Sequence, residues 1–324
     1  MKNGIRFFAV LLCCLLLLGS CSGKDRKAVA ACAGQEVLYE ELRFLTLTCR
    51  DRMAQKYGED IWNSSESAEA HRAELEETVW QTLADDYVVF AAARELLPGV
   101  SISDDDIQAA ANQAVQNAIT EAGGKSAYKS QLKESYLTEH LMQFFFASAV
   151  LEDRLSEKLF AGTELESETK LTEWLLDGNL VRARQIYVPA ESNLGHGSAV
   201  AEDLRAKLLS GEPIDSVIGE EEKKAGVLNG TPRYFVRGLT EEPILSVALS
   251  MKQAGDVSEV VDNGEGFLFF IREENDTDRL SVQISSYLSR LRDVRQKELL
   301  AGYREQAIPE KTEYGSSLDL LSIR

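Results

Sequence analysis

The segment Val181-Arg182-Ala183-Arg184-Gln185-Ile186-Tyr187-Val188 decides how the chain is read, because its small and apolar residues alternate with arginines as a strand requires. Outward from it, a helix is expected over about 198–210, followed by a loop rich in Glu, Lys and Gly. Asn229-Gly230-Thr231-Pro232 reads as a turn, and a short helix follows across 242–251. Asn263-Gly264 then marks a hairpin before Gly266-Phe267-Leu268-Phe269-Phe270-Ile271-Arg272, a largely apolar strand. About a hundred residues thus form a compact α+β unit.

On both sides the texture is helical. Val29–Ala33 reads as a small strand, Gly34-Gln35-Glu36 as a turn and Val37-Leu38 as the return, after which Glu40 or Glu41 opens a helix. Asn63–Ser67 reads as a loop. A long helix over about 69–97 carries Val79, Leu83, Tyr87 and Phe90 on one stripe and stops at Leu97-Pro98-Gly99. Ser103 stands where an N-cap belongs, with Asp104, Asp105 and Asp106 in the first turn, and Ile107, Ala110, Ala111, Ala114, Val115 and Ala118 mark the inner face. After Gly123-Gly124 another helix is expected from about 128 to 159. A final one starts near Leu280 and ends before Pro309, with Leu280, Ile284, Leu288, Leu291 and Val294 as its stripe. That stripe needs a partner, and packing on the N-terminal helices supplies one. The α+β unit then becomes an insertion in a helical domain built from both ends of the chain.

The first 21 residues give an address. Lys2 and Arg6 precede an apolar run from Phe7 to Leu18, closing in Leu18-Gly19-Ser20-Cys21. A basic start, a short apolar middle and small residues before a cleavage point describe a secretory signal. The run is short for a membrane span, which needs ~20 residues. A cysteine after Leu-Gly-Ser makes it a bacterial lipoprotein signal over 1–20, with lipid on Cys21. The alternatives are an ordinary signal cut elsewhere and an uncleaved anchor. The chain has 35 basic and 53 acidic side chains, a net charge of −18, and loss of Lys2 and Arg6 takes it to −20. Such a charge argues against nucleic acid, whose phosphates need cationic partners. Cys32 and Cys49 remain beside Cys21, and buried free thiols are the simpler reading of them. His71, His140 and His196 are widely separated, so no metal or other cofactor is expected, and His140 reads as a core or boundary histidine.

Two stretches resemble the extracytoplasmic foldases of the PrsA and SurA type. Val29 to Val115 is similar to their chaperone domain, in the strand-turn-helix around Gly34, Val37 and Glu41-Leu42. The passage from Ala91-Ala92-Ala93-Arg94-Glu95-Leu96-Leu97 to Val100-Ser101-Ile102-Ser103-Asp104-Asp105-Asp106-Ile107 adds to that likeness. Val181 to Arg272 resembles a parvulin-type peptidyl-prolyl isomerase domain. The resemblance implies an α+β fold, with an all-helical chaperone domain formed by the N- and C-terminal segments and an inserted parvulin-like domain. The divisions are a signal over 1–20, a lipidated tether over 21–28, a helical domain over 29–176, a parvulin-like domain over 177–275, and a helix over 276–324 completing the helical domain.

Parvulins line their site with two histidines, a Cys or Asp, and apolar residues including Met and Phe. By that resemblance the pocket positions are Gln185, Phe235, Thr240, Ile244, Phe267 and Leu268. Gln185 and Leu268 stand where the histidines belong, Thr240 and Ile244 where the Met and Phe belong, and Glu220, Glu221 and Glu222 occupy the loop of the Cys or Asp. The residues form either a proline cleft or simple core. The expected function is a lipid-anchored extracytoplasmic folding factor for unfolded or newly exported polypeptides, held at the membrane through Cys21, with Phe144-Phe145-Phe146 packing between helices or lining a cradle. A homodimer is among the assemblies this allows. Two alternatives stay open, an active prolyl isomerase and a non-catalytic envelope lipoprotein that binds one partner.

Overall fold

The computed structural model describes residues 23–62 and 65–324. The signal segment, Cys21 and the start of the 63–67 loop lie outside the described residues. The chain divides into a first unit, which runs to Lys158 and resumes over Leu299–Arg324, and a second unit, Leu159–Glu298.

The first unit opens with β1 (Ala28–Cys32) and β2 (Gln35–Leu38), paired with Ala31 opposite Glu36 and Cys32 opposite Gln35. Their two-residue connection, Ala33-Gly34, has φ of 49° and 81°, the double left-handed turn whose twist matches that of the flanking strands. On its other edge β1 pairs antiparallel with the strand Glu310–Lys311, so both ends of the chain meet in one sheet. The strand and return expected over 29–38 are thus present, and Glu310–Lys311 adds a third strand to them. The Thr312 N–H donates to Val29 O at 2.9 Å, and the Thr312 hydroxyl to Ala28 O at 3.1 Å. Gly315 passes so close beneath β1 that a Cβ there would run into the Val29 carbonyl.

Helices α1 (Tyr39–Tyr57), α2 (Ser65–Leu96), α3 (Asp105–Glu121), α4 (Lys125–Glu134) and α5 (Glu139–Phe160) follow. The expected stripe of Val79, Leu83, Tyr87 and Phe90 is buried, as are Leu42, Leu45, Leu141 and Leu151. Three local expectations change. The residue preceding α3 is Asp104, while Ser103 pairs its hydroxyl with that of Ser101 at 2.9 Å. On α3, Ile107 and Ala111 are buried but Ala110 is exposed. The helix expected over 128–159 is two helices, because Tyr136 adopts φ 61° and Thr138 turns its hydroxyl to the Leu141 N–H at 3.0 Å.

The second unit is built on β3 (Leu180–Pro189), which pairs antiparallel with β7 (Gly266–Arg272), Gln185 standing opposite Phe270. Outer strands β4 (Leu228–Asn229) and β5 (Arg233–Val236) lie along the other edge of β3, and β6 (Val261–Asp262) lies beyond β7. Helix α7 (Gly197–Leu209) contributes to the core on one face of this sheet and α8 (Ile244–Ser250) to the core on the other. A third cluster joins Phe160, Leu165, the short helix α6 (Glu168–Trp174), Leu175 and Leu180 to Leu280, Ile284 and Leu291 of α9 (Thr277–Leu300). The last helix thus buries Leu280, Ile284 and Leu291 within the second unit and not on the N-terminal helices, while Val294 of the expected stripe is exposed. The reason is local: the chain entering the sheet supplies apolar residues beside it, and Arg292 fastens it by donating to the carbonyls of Leu165 and Glu166, each at 2.8 Å.

Replacement of Gly315 by alanine forces a methyl group against backbone that cannot yield. Thermal or denaturant unfolding is expected to lose ~1–3 kcal/mol relative to the parent. Gly302→Ala, where a Cβ meets open space, serves as the control and is expected to stay within ~0.5 kcal/mol.

Candidate functional site

The six pocket positions inferred from the resemblance do not gather in one place. A strand sends successive side chains to opposite faces. Val181, Ala183 and Gln185 of β3, Phe235 of β5, and Leu268 and Phe270 of β7 share the face covered by α8. Phe267 points to the other face, in the cluster of Ile186, Val188, Ala201, Leu204 and Phe269. It lies so near Gly197 that a Cβ there would come within 2.9 Å of its ring. Thr240 belongs to the turn after β5, where its hydroxyl accepts the Val236 N–H at 3.0 Å and its own N–H donates to Val236 O at 2.9 Å. Gln185, Phe235, Ile244 and Leu268 remain on one face.

On that face the apolar surface is already used. Phe235 and Leu268 are 1% and 2% exposed, packed with Leu245, Ala248 and Met251. The Phe235 and Phe270 rings meet edge to face with centroids 5.0 Å apart, a favoured aromatic geometry. Gln185 is also committed, its side-chain oxygen accepting from Arg233 Nη2 at 2.7 Å. The Arg233 guanidinium then lies over the Phe235 ring, 4.8 Å from its centroid. The Gln185 amide and the Arg233 guanidinium are thus engaged with each other beside the Phe235 ring. Glu222 instead binds the Gly219 N–H at 3.0 Å, at the start of its own short helix.

The first unit offers a different surface. A cleft of about 450 Å³ lies between Phe44, Thr48, Asp51, Arg52 and Gln55 of α1 and the α4–α5 connection at Glu134, Ser135 and Tyr136. A smaller hollow of about 210 Å³ lies on the other side of Tyr136, lined by Arg43, Leu132, Lys133 and Leu137 among others. Tyr136 holds its left-handed backbone because its hydroxyl donates to Asp51 at 2.9 Å and its carbonyl accepts from Arg43 at 3.2 Å. Aromatic rings connect the cleft to the core. Phe44 meets Phe145 edge-on at 5.6 Å, Phe145 lies 6.1 Å from Phe144, and Phe144 stacks on Phe90 at 5.9 Å. The aromatic run at 144–146 was the sequence signal for this surface. Phe44 and Tyr136 carried none of their own.

Behind the cleft, the first turn of α1 buries two neighbouring acids. Burial works against ionising Glu40, but hydrogen bonds from His140 and Thr138 and the nearby charges of His140 and Arg26 outweigh it, holding this carboxyl below its ordinary range. Glu41 lacks such cations. Burial pushes it up to about 7, although the Tyr87 hydroxyl donates to it at 2.8 Å, and Asp86 and Glu40 add to the rise. Burial likewise raises the Cys32 thiol to about 11 and moves Cys49 upward, and both are free and protonated.

The shift at Glu41 has a definite sign. An acid that holds its proton more tightly in the folded state stabilises the fold fully below its unfolded value, near 4.5, and that contribution is lost as pH rises through about 7. The loss is on the order of 3 kcal/mol. Chemical denaturation from pH 4.5 to 8 is expected to show the decline, and Glu41→Gln to flatten it and to raise stability at pH 8.

No protein-family model matches the chain, and no curated protein does. Solved structures do resemble it. The peptidylprolyl isomerase PrsA of Bacillus anthracis aligns over 70% of this chain and 96% of its own, with 16% identity and a TM-score of 0.41. PrsA of Bacillus cereus aligns over 74% and 85%, with 14% identity and a TM-score of 0.41. A structure from a study of two SurA-like chaperones of Campylobacter jejuni aligns over 88% and 99%, with 11% identity and a TM-score of 0.29. The structures so aligned are of PrsA proteins and of a SurA-like chaperone, at 16% identity or less and TM-scores of 0.41 or less.

Proposed function

We propose that the chain is an extracytoplasmic folding factor, anchored by lipid on Cys21, that holds short apolar segments of unfolded exported polypeptides in the aromatic cleft of its first unit. The observation that carries this reading is the file of rings from Phe90 through Phe144 and Phe145 to Phe44, which ends at a cleft rimmed by Asp51, Arg52 and Glu134. Phe44 and Phe145 are half-buried, so part of each ring remains for a client side chain. Burying one client Leu or Phe there contributes ~1.5–3 kcal/mol, a weak hold that suits release. The charged rim leaves a client's flanking polar backbone in water.

In this reading the second unit keeps a parvulin-like sheet without a working proline site. Lowering the amide rotation barrier of ~18–20 kcal/mol requires a dry pocket that grips the ring and favours the twisted amide. The burial of Phe235 and Leu268 and the Gln185–Arg233 pair support core in place of such a pocket.

The mature protein is expected to slow aggregation of a chemically denatured secreted protein at equimolar ratio. Phe44→Ser is expected to remove most of that effect while leaving the far-ultraviolet circular dichroism intact. No slowing by the parent protein would sink the proposal, and one stoichiometric partner in a pull-down would favour the scaffold alternative. In a proline-limited refolding assay the parent protein is expected to leave the slow phase unchanged. Acceleration that is lost on Gln185→Ala would instead establish an isomerase.

A further inference from the structure

The tether expected over 21–28 is fastened from Lys24 onward. Gly23–Arg26 forms a turn, closed by the Lys27 N–H donating to Lys24 O at 3.2 Å. The next contacts are with the start of α1. A helix leaves its first N–H groups without intrahelical partners, and Leu38, at the cap position, makes no side-chain bond to them. The strap supplies what is missing: Lys27 O accepts from the Tyr39 N–H at 2.9 Å, and Asp25 O from the Glu40 N–H at 3.1 Å. Its side chains add three further holds. Lys24 Nζ sits 4.5 Å from the centre of the Tyr39 ring, and Lys27 Nζ 3.7 Å from that of Tyr314. Arg26 lies 3.9 Å from the buried Glu40 carboxylate.

We propose that Gly23–Lys27 is a docked strap which holds the aromatic cleft of the first unit close to the outer surface of the bilayer, at a fixed distance from the acylated Cys21. The proposal rests on the lipid anchor of the reading above and adds where the client surface stands. Asp25 lies four residues beyond Cys21, a span of at most ~14 Å. Along α1, Phe44 lies four residues beyond Glu40 and Gln55 fifteen, ~6 Å and ~23 Å at the helical rise. The near end of the cleft therefore stands within ~25 Å of the anchor and its far end within ~40 Å. A free tether would let the unit turn over, and α2 alone, with 32 residues, is ~48 Å long. The strap also brings three cations against one carboxylate to the point nearest the lipid, in a chain whose net charge is −18. Anionic headgroups suit that end of the molecule while the acidic remainder is repelled.

Two measurements test this separately from the anchor itself. First, limited trypsinolysis is run on the mature chain bearing Cys21→Ser. Cleavage after Arg26 is expected at least tenfold slower in the parent than in the Lys24→Ser, Lys27→Ser double variant. Equal, rapid cleavage in both overturns the strap, whatever the state of Cys21. Second, the acylated protein, labelled through Gln55→Cys, is bound to phosphatidylcholine–phosphatidylglycerol vesicles carrying an acceptor-labelled lipid. Energy transfer is expected to fall at least twofold when ten Gly and Ser residues are inserted between Ser22 and Gly23. Unchanged transfer overturns the fixed distance. Failure of the parent to bind vesicles, with Cys21 unmodified by mass spectrometry, overturns the anchor and leaves the protease result to judge the strap alone.

Discussion

The structure depends on β1 being paired on both edges. β2 is a local partner reached through a two-residue turn, but Glu310–Lys311 comes from almost 280 residues away along the chain. Closing so long a loop costs entropy that grows only slowly with its length, so a large insertion between the two partners is tolerated. What makes the closure specific is steric and polar. Thr312 reaches the carbonyls of Ala28 and Val29, and Gly315 brings its backbone to where no side chain fits. With both ends of the chain fixed there, residues 159–298 fold as a body of their own with three clusters of buried residues.

The two units use their apolar surface differently. In the second, each face of the five-stranded sheet is covered by its own helix, and the final helix covers a third layer. Arg233 even covers the face of the Phe235 ring. In the first unit the aromatic file continues outward until Phe44 and Phe145 stand half-buried at a cleft. That asymmetry is why the functional reading rests on the helical unit and not on the sheet.

How much was legible in the sequence follows from the range of each interaction. Strand β3, strand β7 and the buried stripe of α2 were legible because period-two and period-3.6 patterns are local. Phe267 parts from Leu268 for a reason also present in the sequence: adjacent residues of a strand face opposite sides of the sheet. The break between α4 and α5 was hidden, since Tyr136 is neither Gly nor Pro and its left-handed backbone is held by Asp51 and Arg43 from another helix. The last helix was legible as a helix, but its partner was not, because an apolar stripe does not say which apolar surface will cover it. Residues 23–27 carry no periodic pattern beyond that of a short tether, and only the orphan N–H groups of α1 give them a place.

The central claim is that clients meet the first unit at the α1 cleft. It is tested most directly by placing a photo-crosslinking amino acid at Thr48, inside the cleft, and in a second protein at Val282, which is 83% exposed on α9 of the second unit. Illumination with an unfolded secreted polypeptide is expected to give crosslinks from position 48 and few from position 282. Crosslinks from 282 that equal or exceed those from 48 would contradict the account.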